Sequence, residues 1–314
     1  MKNAKPNDEI DKAFLSVFFA VCACASGLLP QAQGSSTLVG IEYYQKSLLL
    51  YFASSGEVFL EQVQCLGLLA FCSASWNVLA QSWRFAGQAV RIAQDLGLHV
   101  SSLVDTTREP NEEPYNLCEY RDAQIARCVW WSVFGIDCIS SICLGRPMAA
   151  DVAHCCCDLP TNISNEDLEQ GCGPNDQSNS SLSSPMAGFI AFTQLCKIAA
   201  EVHRFHSSFR LRSRNASNTS MKEALPTVNI LIRELDNWLQ ELPDEIKFSA
   251  NSLQRGPNLT MSVVVFILHS ATIMNLYRFV YLQGSPRCFK LEQNFSFLHF
   301  SNNEIMQTTC GIGI

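Results

Sequence analysis

Hydrophobic and polar positions recur every three or four residues along most of the chain, which is the period of an amphipathic helix. This pattern predicts helices over about 9–27, 38–54, 57–74, 78–96, 121–144, 187–209, 222–241 and 259–283. No alternating run bounded by hairpin turns stands out, so no strand is predicted. We therefore expect an all-α fold, a single irregular multi-helix bundle.

Helix 121–144 is predicted to be central and largely buried. Its apolar stripe consists of Ile125, Val129, Ser132, Ile136, Ile139 and Cys143, and it is widened by Trp130, Val133 and Phe134. Gly145 and Pro147 end this helix, because proline prevents it from resuming. Gly97 is predicted to be the left-handed cap of the helix that ends near Leu96.

Polar stretches separate the later helices. Residues 161–185 are rich in Asn and Ser and predict a flexible insertion, and residues 210–220 predict a second break. Residues 284–314 show no helical register and predict an irregular tail, so the main domain is expected over 9–283. The apolar run 261–282 contains His269, Asn275 and Arg278, which are costly in lipid, so a buried core helix is preferred to a membrane span.

Composition limits the function. The net charge is −7 and no strongly basic stretch is present, so this chain by itself is a poor candidate for DNA binding. The 15 cysteines lie mostly in apolar helical stretches, which indicates a reducing compartment. No two of them are three positions apart, and without the C-x-x-C spacing no structural zinc is expected in this chain. A secreted protein is disfavoured although 14–29 is apolar, because Asp8, Glu9 and Asp11 precede it.

Residues 82–160 carry an ordered set of motif residues. The first part comprises Trp83, Gly87, Ala89, Arg91, Ala93, Asp95, Leu96, Gly97, Leu98 and His99. The second comprises Arg127, Trp130, Trp131, Ile136, Asp137, Gly145, Arg146, Pro147, Asp158, Leu159 and Pro160. Together they resemble the middle regulatory domain of fungal zinc-cluster transcription factors, and a looser likeness extends over roughly 10–283. Cys128 and Cys138 stand where that family has arginines.

The resemblance implies a nuclear regulator of transcription by RNA polymerase II at metabolic genes. In that family the zinc ions and the DNA contacts belong to an N-terminal cluster, which this sequence does not contain. No cofactor is therefore expected in this chain, and DNA would be reached only through that module. The expected partners are a small-molecule effector, a second subunit in a homo- or heterodimer, and the transcription machinery. No association with a membrane is expected.

Charged and aromatic motif residues can be structural or effector-sensing. Arg91, Asp95, Arg127, Asp137 and Arg146 are expected mainly to be partnered inside the bundle, because a buried charge needs a partner. Trp130 and Trp131 point about 100° apart, so one is expected in the core and the other at its edge.

Two clusters invite other chemistry. Cys155, Cys156 and Cys157 are candidate reactive thiols, because the segment is expected to be an exposed loop. Their adjacency to His154 and Asp158 suits a metal poorly. Arg204, Arg210, Arg212 and Arg214 are expected to mark a solvated helix end rather than an anion site.

The sequence contains no nucleophile elbow, phosphate-binding loop, dinucleotide-binding fingerprint or zinc-protease helix motif, so the chain is not expected to be an enzyme. The alternative to the regulatory domain is an interaction protein that lacks DNA binding and modulates intact family members. A helical enzyme of unknown type is the third and weakest alternative.

Overall fold

The computed structural model describes residues 6–29, 38–53, 59–100, 117–163, 185–215, 221–248 and 257–282. Within these ranges the chain forms α-helices and two short 3-10 helices, and no strand. The α-helices are α1 (Pro6–Ser26), α2 (Ile41–Ala53), α3 (Leu60–Ser75), α4 (Leu79–Asp95), α5 (Leu117–Leu144), α6 (Pro185–Asn215), α7 (Met221–Glu241) and α8 (Pro257–Leu282). The predicted all-α class is confirmed.

The chain divides into two compact units, Met1–Ala200 and Glu201–Ile314. The sequence predicted one bundle over 9–283, whereas the division falls inside α6. In the first unit α3 packs against α1, α4 and α5, and α1 also packs along α2. Most of the predicted insertion and the predicted tail 284–314 lie outside the described residues, so both stay predictions.

Helix α5 is central, but its buried face is not the predicted stripe. Ile125 is 36% exposed, and Ser132 and Cys143 are also exposed, so the prediction for this stripe was wrong. The three residues predicted to widen the stripe, Trp130, Val133 and Phe134, are buried as expected. The buried face also includes aromatic and polar side chains outside the stripe, namely Gln124, Arg127, Trp131, Asp137, Cys138 and Ser141. Polar groups can occupy it because the chain that follows α5 supplies main-chain partners, as described below.

Helix α6 is longer than predicted. It continues to Asn215, so residues 210–215 are helical and only 216–220 of the predicted break lie outside the described residues. The sequence Arg-Leu-Arg-Ser-Arg was judged by its polarity, but arginine is a good helix former. Arg210, Arg212 and Arg214 therefore belong to the last turns of α6.

Helix α8 is only partly a core helix. Its inner side buries Val265, Leu268 and Leu276, while Ile267 and Met274 are exposed, so the predicted full burial is wrong for one face. Among the described residues two stretches, Arg121–Leu144 and Leu259–Tyr277, are long and apolar enough to cross a membrane by length and composition. Core helices of soluble proteins meet the same criterion.

Among the described residues three glycines adopt left-handed backbone conformations. Gly97 and Gly145, with φ of +74° and +62°, follow α4 and α5, and the predicted cap at Gly97 is confirmed. Gly40, with φ of +82°, precedes α2. A Cβ atom at Gly40 would lie 2.7 Å from the main-chain oxygen of Ala23, so only glycine lets the start of α2 approach α1 this closely.

Candidate functional site

The motif residues gather where the chain doubles back along α5. After Gly145 the chain runs antiparallel to α5 through residues 145–163, which we call the return segment. Apart from a short 3-10 helix at Val152–His154 it has no regular structure, so its main-chain groups need partners elsewhere. Side chains of α4 and α5 supply many of them.

The beginning of the return segment is fixed to α4 by Trp83. The Nε1 of Trp83 donates to the main-chain oxygen of Pro147 at 3.1 Å, and the Arg146 guanidinium lies over the Trp83 ring at 4.9 Å. The hydroxyl of Ser141 donates to the same Pro147 oxygen at 3.4 Å. Trp83 of α4 thus contacts two adjacent motif residues, Arg146 and Pro147, which lie 63 and 64 residues later in the chain.

Asp137 holds the next part of the return segment from within the core. Its side chain is 0% exposed, and its Oδ2 accepts hydrogen bonds from the amides of Ala149 at 2.8 Å and Ala150 at 3.0 Å. Burial raises the pKa of this carboxyl, while the two amides, Ser141 and the charge of Arg91 act in the opposite direction. Asp137 is therefore a buried acceptor for the main chain.

Gly87 and Arg91 border the same contact from α4. The Arg91 guanidinium donates to the main-chain oxygen of Gly87 at 2.9 Å. A Cβ atom at Gly87 would lie 3.7 Å from that of Ala149 and 3.3 Å from the Arg91 guanidinium. Glycine at this position leaves room for both the arginine and the return segment.

Both tryptophans of α5 are buried beneath the return segment. Each is 1% exposed, so the prediction that one would lie at the edge of the core was wrong. The Nε1 of Trp131 donates to the main-chain oxygen of Asp158 at 2.9 Å, and that of Trp130 donates to the Cys155 sulfur at 3.2 Å. The two rings point in different directions from α5, but the return segment is long enough to cover both.

His99 joins this contact from the 3-10 helix after α4. Its ring lies 5.9 Å from that of Trp130, and its main-chain oxygen accepts from the Cys156 amide at 2.9 Å. Leu159 is half-buried and Pro160 is buried at the end of the same segment. Asp95 is exposed on the last turn of α4, away from these contacts.

Gln124 is a site residue that the sequence reasoning missed. Its buried side-chain amide donates to the main-chain oxygen of Thr161 at 2.8 Å and accepts from the Thr161 amide at 3.0 Å. The available signal was spacing, since Gln124, Arg127 and Trp131 follow one another at three and four residues on one helix face.

The Arg127 side chain of α5 is buried, and its Nε donates to the main-chain oxygen of Ala123 at 3.1 Å. Burial raises the pKa of the nearby Cys157 thiol to about 12, although the charge of Arg127 acts to lower it. Because the thiolate is the nucleophile, this environment disfavours a reactive Cys157. Cys156 is exposed and Cys155 is half-buried, and for these two the reactive-thiol prediction stays open.

A groove of about 620 Å³ lies along α5 and reaches Gln124 and Ile163 at the end of the return segment. The exposed stripe of α5, including Ile125, Val129 and Ile136, forms one wall, and α3 contributes Leu68 and Phe71 to the other. No lysine, arginine, aspartate or glutamate is among the described residues that line it. Its volume and lining are those of a site for a small uncharged apolar molecule. Within the described residues no group of three or more His, Cys, Asp or Glu side chains is placed to hold a metal.

Comparison with known proteins agrees with the motif. The family of the fungal specific transcription factor domain matches residues 2–240. The chain belongs to this family. It is similar to an uncharacterized transcriptional regulatory protein of Schizosaccharomyces pombe, with 24% identity covering 82% of this chain and 40% of that protein.

Two further relatives are also regulators by name. The TY1 enhancer activator of Saccharomyces cerevisiae is 22% identical, covering 87% of this chain and 34% of that protein. The acetamidase regulatory protein of Aspergillus fumigatus is 26% identical, covering 62% of this chain and 21% of that protein. The chain thus spans 40% or less of the length of these relatives. No solved structure matches it.

Proposed function

We propose that this chain is the effector-responsive regulatory domain of a nuclear zinc-cluster-type regulator that controls transcription of metabolic genes by RNA polymerase II. Contact with DNA would be made by a zinc-cluster module that is not among these 314 residues. The observation that carries the proposal is the convergence of the family motif on one contact, in which α4 and α5 hold the return segment. Transcriptional control itself follows from family membership.

The proposed mechanism is a shift between two packings of α5. The groove is lined by α5 and also by Gln124 and Ile163 at the end of the return segment, so a small molecule in the groove would contact both the helix and the segment that it holds. An effector that binds one packing more tightly shifts the population toward it. Because the described lining of the groove contains no charged side chain, the effector would be uncharged and largely apolar.

A reporter assay tests this function. The whole chain is placed between a heterologous DNA-binding module and an activation domain in yeast, and the reporter is compared with a fusion lacking the chain. We expect the chain to change the output, and Asp137→Ala to change it again by at least about threefold by releasing the return segment. Asp151→Asn, which alters a more exposed cap on the same segment, should leave the output unchanged at equal protein level.

Output that does not depend on the presence of the chain would contradict the proposal. Fluorescent tagging of the chain joined to its DNA-binding module should place it in the nucleus.

A second function is favoured by the surface of α1 and α2. These helices expose Phe14, Phe18, Leu49 and Phe52, and exposed apolar groups of this size mark protein interaction surfaces. The chain could act without binding DNA by pairing with intact family members. Co-purification of such a member with the wild-type chain, and its loss with Phe14→Glu and Phe18→Glu, would support this function over the first.

A further inference from the structure

Two pairs of cysteine thiols join neighbouring helices in the first unit. Cys24 of α1 faces Cys72 of α3, and Cys138 of α5 faces Cys196 of α6, closely enough that Cys72 lowers the pKa of Cys24 and Cys138 raises the pKa of Cys196. In each pair one thiol also donates to a main-chain oxygen of the facing helix at 3.5 Å, from Cys24 to Leu68 and from Cys138 to Cys196. The two pairs share their geometry and differ in their surroundings.

Close packing of α1 on α3 brings the first pair together. The buried face of α1 includes Ala20 and Ala23, and such small side chains allow the helix axes to approach. In an α-helix the oxygen of residue 68 accepts from the amide of residue 72, so a thiol that reaches Leu68 lies beside Cys72. A disulfide requires this kind of proximity, with Cα atoms 4.4–6.8 Å apart.

The pairs differ in their access to solvent. Cys72, Cys138 and Cys196 are all buried, whereas Cys24 is half-buried, so only the first pair has a thiol that an oxidant can reach from solvent. The contact between Cys24 and Cys72 lowers the pKa of Cys24 and, together with burial, raises the pKa of Cys72, so Cys24 is the first of the two to form a thiolate. Burial raises the pKa of Cys196 well above its ordinary value. Since the thiolate attacks an oxidant, Cys24 is the favoured nucleophile of the four and Cys72 is placed to resolve the product.

We propose that Cys24 and Cys72 are a peroxide-sensitive thiol pair that forms a disulfide between α1 and α3. The Cys24 thiolate attacks one oxygen of hydrogen peroxide, the O–O bond breaks, and a sulfenic acid and water form. The Cys72 thiol then attacks the Cys24 sulfur, the S–S bond forms, the S–O bond breaks, and a second water leaves. Two thiols lose two electrons and two protons, and one peroxide becomes two waters.

The bond would tie α1 to α3 at the wall of the groove, since Leu68 both accepts from Cys24 and lines that groove. An oxidised chain would therefore hold the α1–α3 contact in one arrangement. The oxidation of the thiols itself requires only these two helices, whatever the chain regulates.

Differential alkylation of the whole chain tests the pair. The reduced protein is treated with hydrogen peroxide and then denatured in the presence of iodoacetamide, which alkylates the remaining free thiols. The oxidised thiols are next reduced and labelled with heavy iodoacetamide, and the peptides are analysed by mass spectrometry. We expect Cys24 and Cys72 to become oxidised together, at least about tenfold faster than Cys138 and Cys196. A peptide linking residues 24 and 72 should appear before the second reduction.

Single substitutions identify the partners. Cys24→Ser should abolish oxidation at Cys72, whereas the matched change Cys22→Ser, also at a half-buried cysteine of α1, should leave the cross-link intact. Cys72→Ser should leave a sulfenic acid on Cys24 that dimedone traps. Oxidation of Cys24 without Cys72 in the wild type, a cross-link to another cysteine, or equal rates for the two pairs would overturn the proposal. The wild-type measurement decides the matter even if a variant fails to fold.

Discussion

Removal of the Asp137 side chain should release the beginning of the return segment. Asp137→Ala leaves the amides of Ala149 and Ala150 without their acceptor, and a buried polar group without a partner costs about 1–3 kcal/mol. Ala150 is buried and Ala149 is half-buried, so water can compensate only in part. We expect the free energy of unfolding to fall by about 2–4 kcal/mol.

Asp137→Asn provides the informative comparison. One oxygen, Oδ2, accepts both amides, so the single oxygen of an asparagine can retain both hydrogen bonds while the charge is removed. Burial raises the pKa of Asp137 in the folded protein, so the unfolded chain gives up this proton at lower pH. The protonated Asp137 carboxyl contributes its full stabilisation below the ordinary pKa of 3.8, and this contribution is lost as the pH rises through the pKa in the folded protein. At pH 7 the asparagine variant should therefore be at least as stable as wild type.

Urea unfolding followed by tryptophan fluorescence measures these differences, because Trp130 and Trp131 lie beneath the return segment. Asp151→Asn serves as the control, since Asp151 accepts from the Ala153 amide at 3.0 Å in a more exposed position. Its effect should be below about 1 kcal/mol. If Asp137→Asn were as damaging as Asp137→Ala at pH 7, the charge and not the acceptor would hold the segment, and the reasoning would be refuted.

Further measurements probe other parts of the chain. Gln124→Leu should lower the free energy of unfolding by about 1–3 kcal/mol and speed proteolysis of the return segment, because both main-chain groups of Thr161 lose their partner; unchanged cleavage would contradict this role. Burial lowers the pKa of His269 from 6.5 to about 4. The free energy of unfolding should therefore fall, by at most roughly 3 kcal/mol, as the pH drops from 6.5 to 4. Urea titrations at several pH values should show that His269→Phe flattens this dependence. Gly40→Ala should lower the melting temperature more than Gly97→Ala, because both have positive φ but only Gly40 lacks space for a Cβ atom; equal shifts would show that space does not matter there.

The sequence predicted the helices well because their signal is local. Periodicity, a left-handed glycine after α4 and the proline after α5 act within a few residues, and the helix bounds agree closely with 78–96 and 121–144. The main failure in extent was at residues 210–215, where polarity was given more weight than the helix propensity of arginine.

The orientation of α5 could not be predicted in the same way. Its apolar stripe was expected to face the core, since burial normally follows hydrophobicity. The return segment reverses this preference, because Asp137 and Gln124 satisfy main-chain groups that would otherwise be buried without partners. Such contacts depend on where a loop runs, and periodicity carries no information about that path. The motif residues were identified from the resemblance, but their shared partner was not.

The order of contacts along the return segment has a consequence for how this region folds. The sequence separation of the contacting residues grows from 6 at Pro147 to 12 and 13 at Asp137, 27 at Trp131 and 37 at Gln124. The entropic cost of closing a loop rises only by about 0.6 kcal/mol for each doubling of its length. Each successive contact therefore requires little more loop-closure free energy than the contact before it. The segment can thus close stepwise from Gly145 and open from Thr161. Chain inserted after residue 163 lengthens none of these loops, so the polar stretch that follows is free to vary in length without slowing their closure.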